Sequence, residues 1–414
     1  MVRTLLFSTV FALAAVASAT VRLGIDKLSA RGFEGLRGQR VGLLTHPAGV
    51  DSTGRPTLDI LHSDPRVNLT ALYGPEHGID GKAAAEKYIP DRVHRPTGLT
   101  AYSLYGPTRK PTPEMLAGID VLVVDLQDIG TRSYTYVSAM KLAMEACFEQ
   151  GKAVMVLDRP NPLGGLKVDG PPLDDSLRSY VGAFPVPYVH GLTIAELAVL
   201  AKKRPGWLDI PNSTRRSGRL IVVPMKGWRR SMLWPHTGLR WVPTSPAIPD
   251  FNAALGYPMT GLGCQLGGFK HGYGTPFPFR LLSHRGWSDD ELATLLNGKH
   301  LSGLSFRAVA LRDSGGKEAS GVYVYVDDWN AAQPTALNFH LMTLAAQAPG
   351  AGNPFAEAAD GPALLFNKHV GSHAWWRELT RNGARADVQR YLLHWELKAK
   401  AFQRDVQSEW IYDR

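Results

Sequence analysis

Glu76 lies in Gly74-Pro75-Glu76-His77-Gly78, where one proline and two glycines fix the backbone around a single carboxyl side chain. Glutamate does little for a tight turn. Its presence there points to acid or base work, which needs a carboxyl group held rigidly at a pocket edge. Asp125-Leu126-Gln127-Asp128 and Asp158-Arg159-Pro160-Asn161-Pro162 bring further carboxylates, each directly after an apolar run. Two carboxyl groups that converge on one pocket can divide acid and base work between them. Glu76 is the candidate for the first of these roles, with Asp128 and Asp125 the candidates for the second. The aspartates also have a structural reading, because Asp caps helices and holds turns. Arg132 and Arg159 equally fit as their ion-pair partners.

Other chemistries lack their motifs. There is no His-Glu-x-x-His, no phosphate loop and no Gly-x-Ser-x-Gly elbow. Gly261-Leu262-Gly263-Cys264-Gln265-Leu266-Gly267 is rich in glycine, but no β-branched strand precedes it and no clear helix follows, so it lacks the context of a dinucleotide site. The expectation is an enzyme without metal or cofactor, whose turnover survives a chelator. His46 and His190 stand beside Pro47 and Gly191 in loops, where either polar loop contacts or ligand binding would suit them.

The elements that must position these residues are legible as alternating strands and helices. Arg40 to Leu44, Val67 to Tyr73, Ile119 to Asp125, Ala153 to Asp158 and Leu220 to Val223 read as strands. Val137, Met140, Met144, Cys147 and Phe148 recur at helical spacing before Gly151, which makes a βαβ unit with a glycine stop. Thr112-Pro113-Glu114 and Thr193-Ile194-Ala195-Glu196 open further helices. The fold class is therefore α/β, with a mainly parallel, doubly wound sheet over residues 20–225. In such a sheet the tips that carry Glu76, Asp128 and Asp158 project from one edge, where ligands bind. From about Lys226 the chain is dense in Pro, Gly and Trp, which predicts a junction. Residues 226–414 then form a smaller α/β domain with a helix after Ser288-Asp289-Asp290-Glu291, a strand Val322 to Val326 and helices bearing Trp375, Leu379, Tyr391 and Trp395.

Met1-Val2-Arg3, an apolar run from Leu5 to Val16 and Ala17-Ser18-Ala19 read as a secretory signal peptide over residues 1–19, cut after Ala19. The run is short for a bilayer span, which takes about 20 apolar residues. A secreted protein, with no membrane anchor after removal of the signal, is the expectation. The formal charge of +9 is spread along the chain, and even Arg215-Arg216-Ser217-Gly218-Arg219 is short, so nucleic acid is not the expected partner. An anionic surface such as a bacterial wall suits it better. Two cysteines, Cys147 and Cys264, allow one disulfide or two free thiols.

Six ordered motifs resemble those of the NamZ family of exo-β-N-acetylmuramidases: Val41 to Asp51, Leu72 to Ile79, Ser103 to Gly106 with Lys110 to Met115, Asp125 to Arg132, Leu157 to Gly165, and Val223 to Trp228. The resemblance covers roughly residues 22 to 260 and continues more weakly to the C-terminus. It implies a Rossmann-like domain followed by a smaller α/β domain, with the site in the cleft between them. It further implies removal of terminal β-linked N-acetylmuramic acid from peptidoglycan fragments, with Glu76 at the position of the family's catalytic glutamate; glycoside hydrolysis then makes Glu76 the general acid and Asp128 and Asp125 the candidates for the second carboxylate, which offers negative charge to an oxocarbenium-like transition state. His46, His77, Gln127, Arg132, Asp158, Arg159, Asn161 and His190 become candidate contacts to the saccharide. Where the family typically has an Asn-x-Ser-Glu-Gly-Arg-Gly-Thr-like segment, this chain has Gly268-Phe269-Lys270-His271-Gly272-Tyr273-Gly274-Thr275. An acid, an arginine and an amide of that segment are missing; Tyr273 stands at the arginine position, and Lys270 and Tyr273 are candidate substrate contacts in a loop expected to set the choice of sugar. Two rival readings follow: hydrolysis of another N-acetylamino sugar, and a carbohydrate-binding protein without turnover.

Overall fold

The computed structural model describes residues 20–83, 87–350 and 352–414; the expected signal peptide lies outside them. Seven strands form the larger sheet: β1 (Arg40–Thr45), β2 (Asn68–Gly74), β3 (Arg92–His94), β4 (Leu99–Ser103), β5 (Val121–Asp125), β6 (Ala153–Leu157) and β7 (Leu220–Val223). Their order is β3-β4-β2-β1-β5-β6-β7. Every pairing is parallel except that of the edge strand β3 with β4. From β1 the chain winds one way to β2 and β4, then the other way through β5, β6 and β7. The direction reverses between β1 and β5, and that crevice is where open α/β sheets hold their ligands.

Side chains alternate across each strand, so the two faces build two cores. Val41, Leu43, Val121, Val123 and Met155 pack with Ile25, Leu28, Ile60 and Leu61 from helices Gly24–Ala30 and Thr57–Ser63. Leu44, Leu122, Val124, Val154 and Val156 pack with Met140, Met144 and Leu197 from helices Tyr136–Glu149 and Ile194–Lys203. The second helix opens on the expected capping box, Thr193 and Glu196.

The smaller domain has an antiparallel sheet of β8 (Phe269–Lys270), β9 (Leu281–His284), β10 (Leu304–Arg312) and β11 (Glu318–Val326), in the order β10-β11-β9-β8. Helices Asp289–Asn297 and Ala336–Gln347 enclose its core around Phe306, Val322, Val324, Phe339 and Trp375. Helix Phe251–Thr260 precedes the sheet and was masked in the sequence by its internal Pro258. No helix of the described residues is long and apolar enough to cross a membrane. Cys147 and Cys264 are both free thiols.

Arg132 ties the domains together. Its Nη1 donates to the carbonyls of Pro171 and Val186 at 2.7 and 2.9 Å, and Nη2 to those of His369 and Val370 at 3.3 and 2.8 Å. A charged donor is worth roughly 1.5–3 kcal/mol per hydrogen bond, and orphaned buried carbonyls add a penalty. Arg132→Met is therefore expected to destabilise the protein by about 3 kcal/mol or more, read as a lower urea midpoint at constant slope. An unchanged midpoint would show that this guanidinium carries no part of the domain contact.

Candidate active site

Glu76 is presented by the turn after β2. The Gly78 amide donates to the Pro75 carbonyl at 2.9 Å, and the backbone at His77 and Gly78 turns left-handed, with φ of 70° and 73°. Gly74 is required because a Cβ there would sit 2.7 Å from the Ile79 nitrogen. His77 braces the turn through Nδ1, 2.8 Å from the Ala83 carbonyl.

The half-buried Glu76 carboxyl reaches the N-terminus of helix Tyr136–Glu149, where Thr135 Oγ1 donates to its Oε2 at 2.7 Å. A helix N-terminus favours negative charge. Phenols gather around it. Burial, reinforced by the nearby Glu76 charge, raises Tyr136 and Tyr180 above the usual phenol range and Tyr257 to about 12. All three keep their protons at neutral pH, and that of Tyr136 is donated to the Thr244 carbonyl. Arg109 stacks over Tyr180 at 4.4 Å.

A second polar group lies at the β1/β5 switch point. His46 Nε2 accepts from the Gln127 amide at 3.0 Å, so the neutral ring carries its proton on Nδ1, and burial holds its pKa well below the usual value. Its ring meets that of Tyr136 at 4.6 Å, which joins this group to the surroundings of Glu76. Asp128 Oδ2 accepts from the Gly130 amide at 2.8 Å and lies 3.4 Å from His190 Nε2. Since His190 Nδ1 accepts from the Leu192 amide at 3.1 Å, its proton sits on Nε2, facing Asp128. Asp128 Oδ1, Gln127 Oε1 and Thr131 Oγ1 are buried without a hydrogen-bond partner among the described residues. Buried polar atoms are nearly always satisfied. Three orphans on one loop mark a place built to meet a polar ligand.

The remaining candidates support these loops from below. Asp125 forms a buried bidentate pair with Arg159, Nε to Oδ1 at 2.5 Å and Nη2 to Oδ2 at 2.9 Å, and also accepts from Thr57 Oγ1 at 2.5 Å. Asp158 accepts from Thr193 Oγ1 at 2.8 Å, Tyr412 Oη at 2.6 Å and the amides of Arg159 and Ala195 at 3.0 and 3.1 Å; burial still pushes its pKa up to about 7. Asn161 shapes its own loop, donating to the Leu192 carbonyl and accepting from the Leu163 amide, both at 3.0 Å. Arg132, 1% exposed, is the domain tie described above. Lys270 is exposed on β8, and Tyr273 projects into solvent, 70% exposed. The structure thus gathers His46, Gln127, Asp128 and His190 at the switch point, with the Tyr136 ring against His46, holds Glu76 and His77 in the neighbouring turn after β2, and turns Asp125, Asp158, Arg159, Asn161 and Arg132 inward.

Thr135, Tyr136, Tyr180 and Tyr257 escaped the sequence reading. The hydroxyl-rich run Ser133-Tyr134-Thr135-Tyr136 at a helix start was a usable signal; Tyr180 and Tyr257 come from separate segments with no local pattern. Among the described residues no three His, Cys, Asp or Glu side chains gather as a metal site would require.

Comparison with known proteins places this geometry. The description "Exo-beta-N-acetylmuramidase NamZ, N-terminal" matches residues 41–252 and its C-terminal counterpart residues 255–412. The chain is similar to the peptidoglycan β-N-acetylmuramidase NamZ of Bacillus subtilis, at 43% identity over 312 residues, 74% of this chain and 73% of the relative. Among solved structures, a DUF1343 family protein of Bacteroides fragilis has a TM-score of 0.84 at 40% identity over 95% of this chain and 99% of its own. A second DUF1343 protein of that organism has a TM-score of 0.70 at 25% identity over the same shares.

Proposed function

We propose that this chain, which belongs to the NamZ family of exo-β-N-acetylmuramidases, is a glycoside hydrolase that releases terminal β-linked N-acetylmuramic acid from peptidoglycan fragments with Glu76 as its general acid. The observation that carries the reading is the placement of the Glu76 carboxyl, set by a turn of fixed backbone geometry at the end of β2 and hydrogen-bonded to Thr135. Thr135 fixes the side chain; Glu76 gives its proton to the glycosidic oxygen as the C–O bond breaks, and water completes the hydrolysis by adding its oxygen to the anomeric carbon and returning a proton to the site. Asp128 supplies the second carboxylate. The His190 ring N–H faces one of its oxygens, and the other, Oδ1, is buried without a hydrogen-bond partner among the described residues. His46, Gln127 and His190 contact the sugar, while Asp125, Asp158, Arg159, Asn161 and Arg132 act as positioning residues.

Export fits this substrate, which lies outside the cytoplasm, and the tripartite N-terminus supports it: the mature chain begins at Thr20. The loop 268–274 tunes selectivity, because Lys270 attracts the lactyl carboxylate as a point charge where an arginine would grip it in two places.

A panel of chromogenic β-glycosides given to the mature protein tests the reading. Turnover of the N-acetylmuramic acid derivative, preferred over the N-acetylglucosamine derivative and undiminished by EDTA, is the expected result. Preference for N-acetylglucosamine would move the enzyme to another amino sugar, and affinity without turnover would make it a binding protein.

A further inference from the structure

The smaller sheet has one covered face and one open face. Helix Asp289–Asn297 packs through Leu292 and Leu296 into the core that holds Phe306, Val322 and Val324. The alternate positions of β11, Tyr323 and Tyr325, point the other way and are only half-buried. Phe277 meets Tyr323 with ring centroids 5.0 Å apart, and Tyr323 meets Tyr325 at 4.7 Å. Three rings thus form one continuous stripe. Each tyrosine has a cation over it: Arg280 lies 5.0 Å from the Tyr323 centroid, and the exposed Arg307 lies 5.1 Å from that of Tyr325.

We propose that this stripe is a second binding surface, separate from the Glu76 turn, which holds an amino-sugar strand of the substrate. Pyranose rings present C–H faces that pack on aromatic rings, and the muramic residues of such a strand carry carboxylates that arginine binds through paired donors. The exposed Arg307 beside Tyr325 is placed to meet such a carboxylate, while Arg280 is buried and donates to the Val324 carbonyl. The identity of the strand rests on the muramidase reading; the existence of the surface does not.

The test compares kcat and KM for wild type, Tyr325→Ala, Arg307→Ala and Tyr325→Phe on an unactivated muramic acid–glucosamine disaccharide and on long peptidoglycan glycan strands. Co-sedimentation of each full chain with insoluble peptidoglycan is measured alongside. The two alanine variants are expected to raise KM for strands about tenfold, the value of one stacking or charged contact. The disaccharide constants and kcat should hold, Tyr325→Phe should behave as wild type, and co-sedimentation should weaken in parallel. Unchanged KM and co-sedimentation, or equal losses on strands and disaccharide, would overturn the surface. If wild type cleaves neither substrate while Tyr325→Ala and Arg307→Ala still weaken co-sedimentation, the surface stands and the muramidase reading falls.

Discussion

Glu76→Gln is expected to lower kcat on an unactivated disaccharide by about 10² to 10⁴, the usual contribution of a general acid, with the fold unchanged. Glutamine keeps the shape of the side chain, and its carbonyl oxygen can still accept the Thr135 hydroxyl hydrogen bond that Glu76 accepts at 2.7 Å. What it lacks is a proton acidic enough to follow the leaving oxygen. The isosteric change keeps the side chain's packing and its bond to Thr135, so the urea midpoint should move little. KM should also stay close to wild type, because the sugar contacts remain. A variant with normal kcat on the disaccharide would remove Glu76 from the role of acid.

The second large effect is on stability and separates the two aspartates of the β5 loop. Asp125→Ala leaves the Arg159 guanidinium, 3% exposed, without its bidentate partner. Breaking one side of a buried pair costs about 3–5 kcal/mol, whereas replacing both sides by apolar groups is often close to neutral. The urea midpoint of Asp125→Ala should therefore fall steeply, and adding Arg159→Leu should restore much of it. Asp128→Ala should do the reverse: Asp128 has a single backbone donor and an orphan oxygen, so turnover falls while stability holds. Equal midpoints for wild type and Asp125→Ala would contradict the supporting role given to that ion pair.

The division between these residues shows where sequence reasoning reaches and where it stops. Five strands are legible because parallel strands covered on both faces are nearly continuous apolar runs, as β5 and β6 are here. The edge pair β3 and β4 is not legible, since Arg92–His94 is short and polar and Leu99–Ser103 has one buried face at most. Glu76 stands out because proline and glycine around it encode a turn that only backbone geometry explains. Asp125 and Asp128, three residues apart in one motif, look alike in sequence. Only the register of Thr45 with Asp125 across β1 and β5, and the arrival of Arg159 from β6, decide that one faces inward. The phenols of Tyr180 and Tyr257 depend on tertiary packing alone, and so does the stripe on β11, whose period-two pattern announces a strand but not what its open face is for.

The most direct measurement of the central claim is how the Glu76→Gln defect depends on the leaving group. A nitrophenol departs with little help from a proton, whereas the oxygen of a second sugar needs it. Proton donation by Glu76 predicts a fall in kcat of about 10² or more on the disaccharide and a much smaller fall on the nitrophenyl N-acetylmuramic acid glycoside. Equal losses on both substrates would contradict it, and would assign Glu76 to a task other than protonating the bond that breaks.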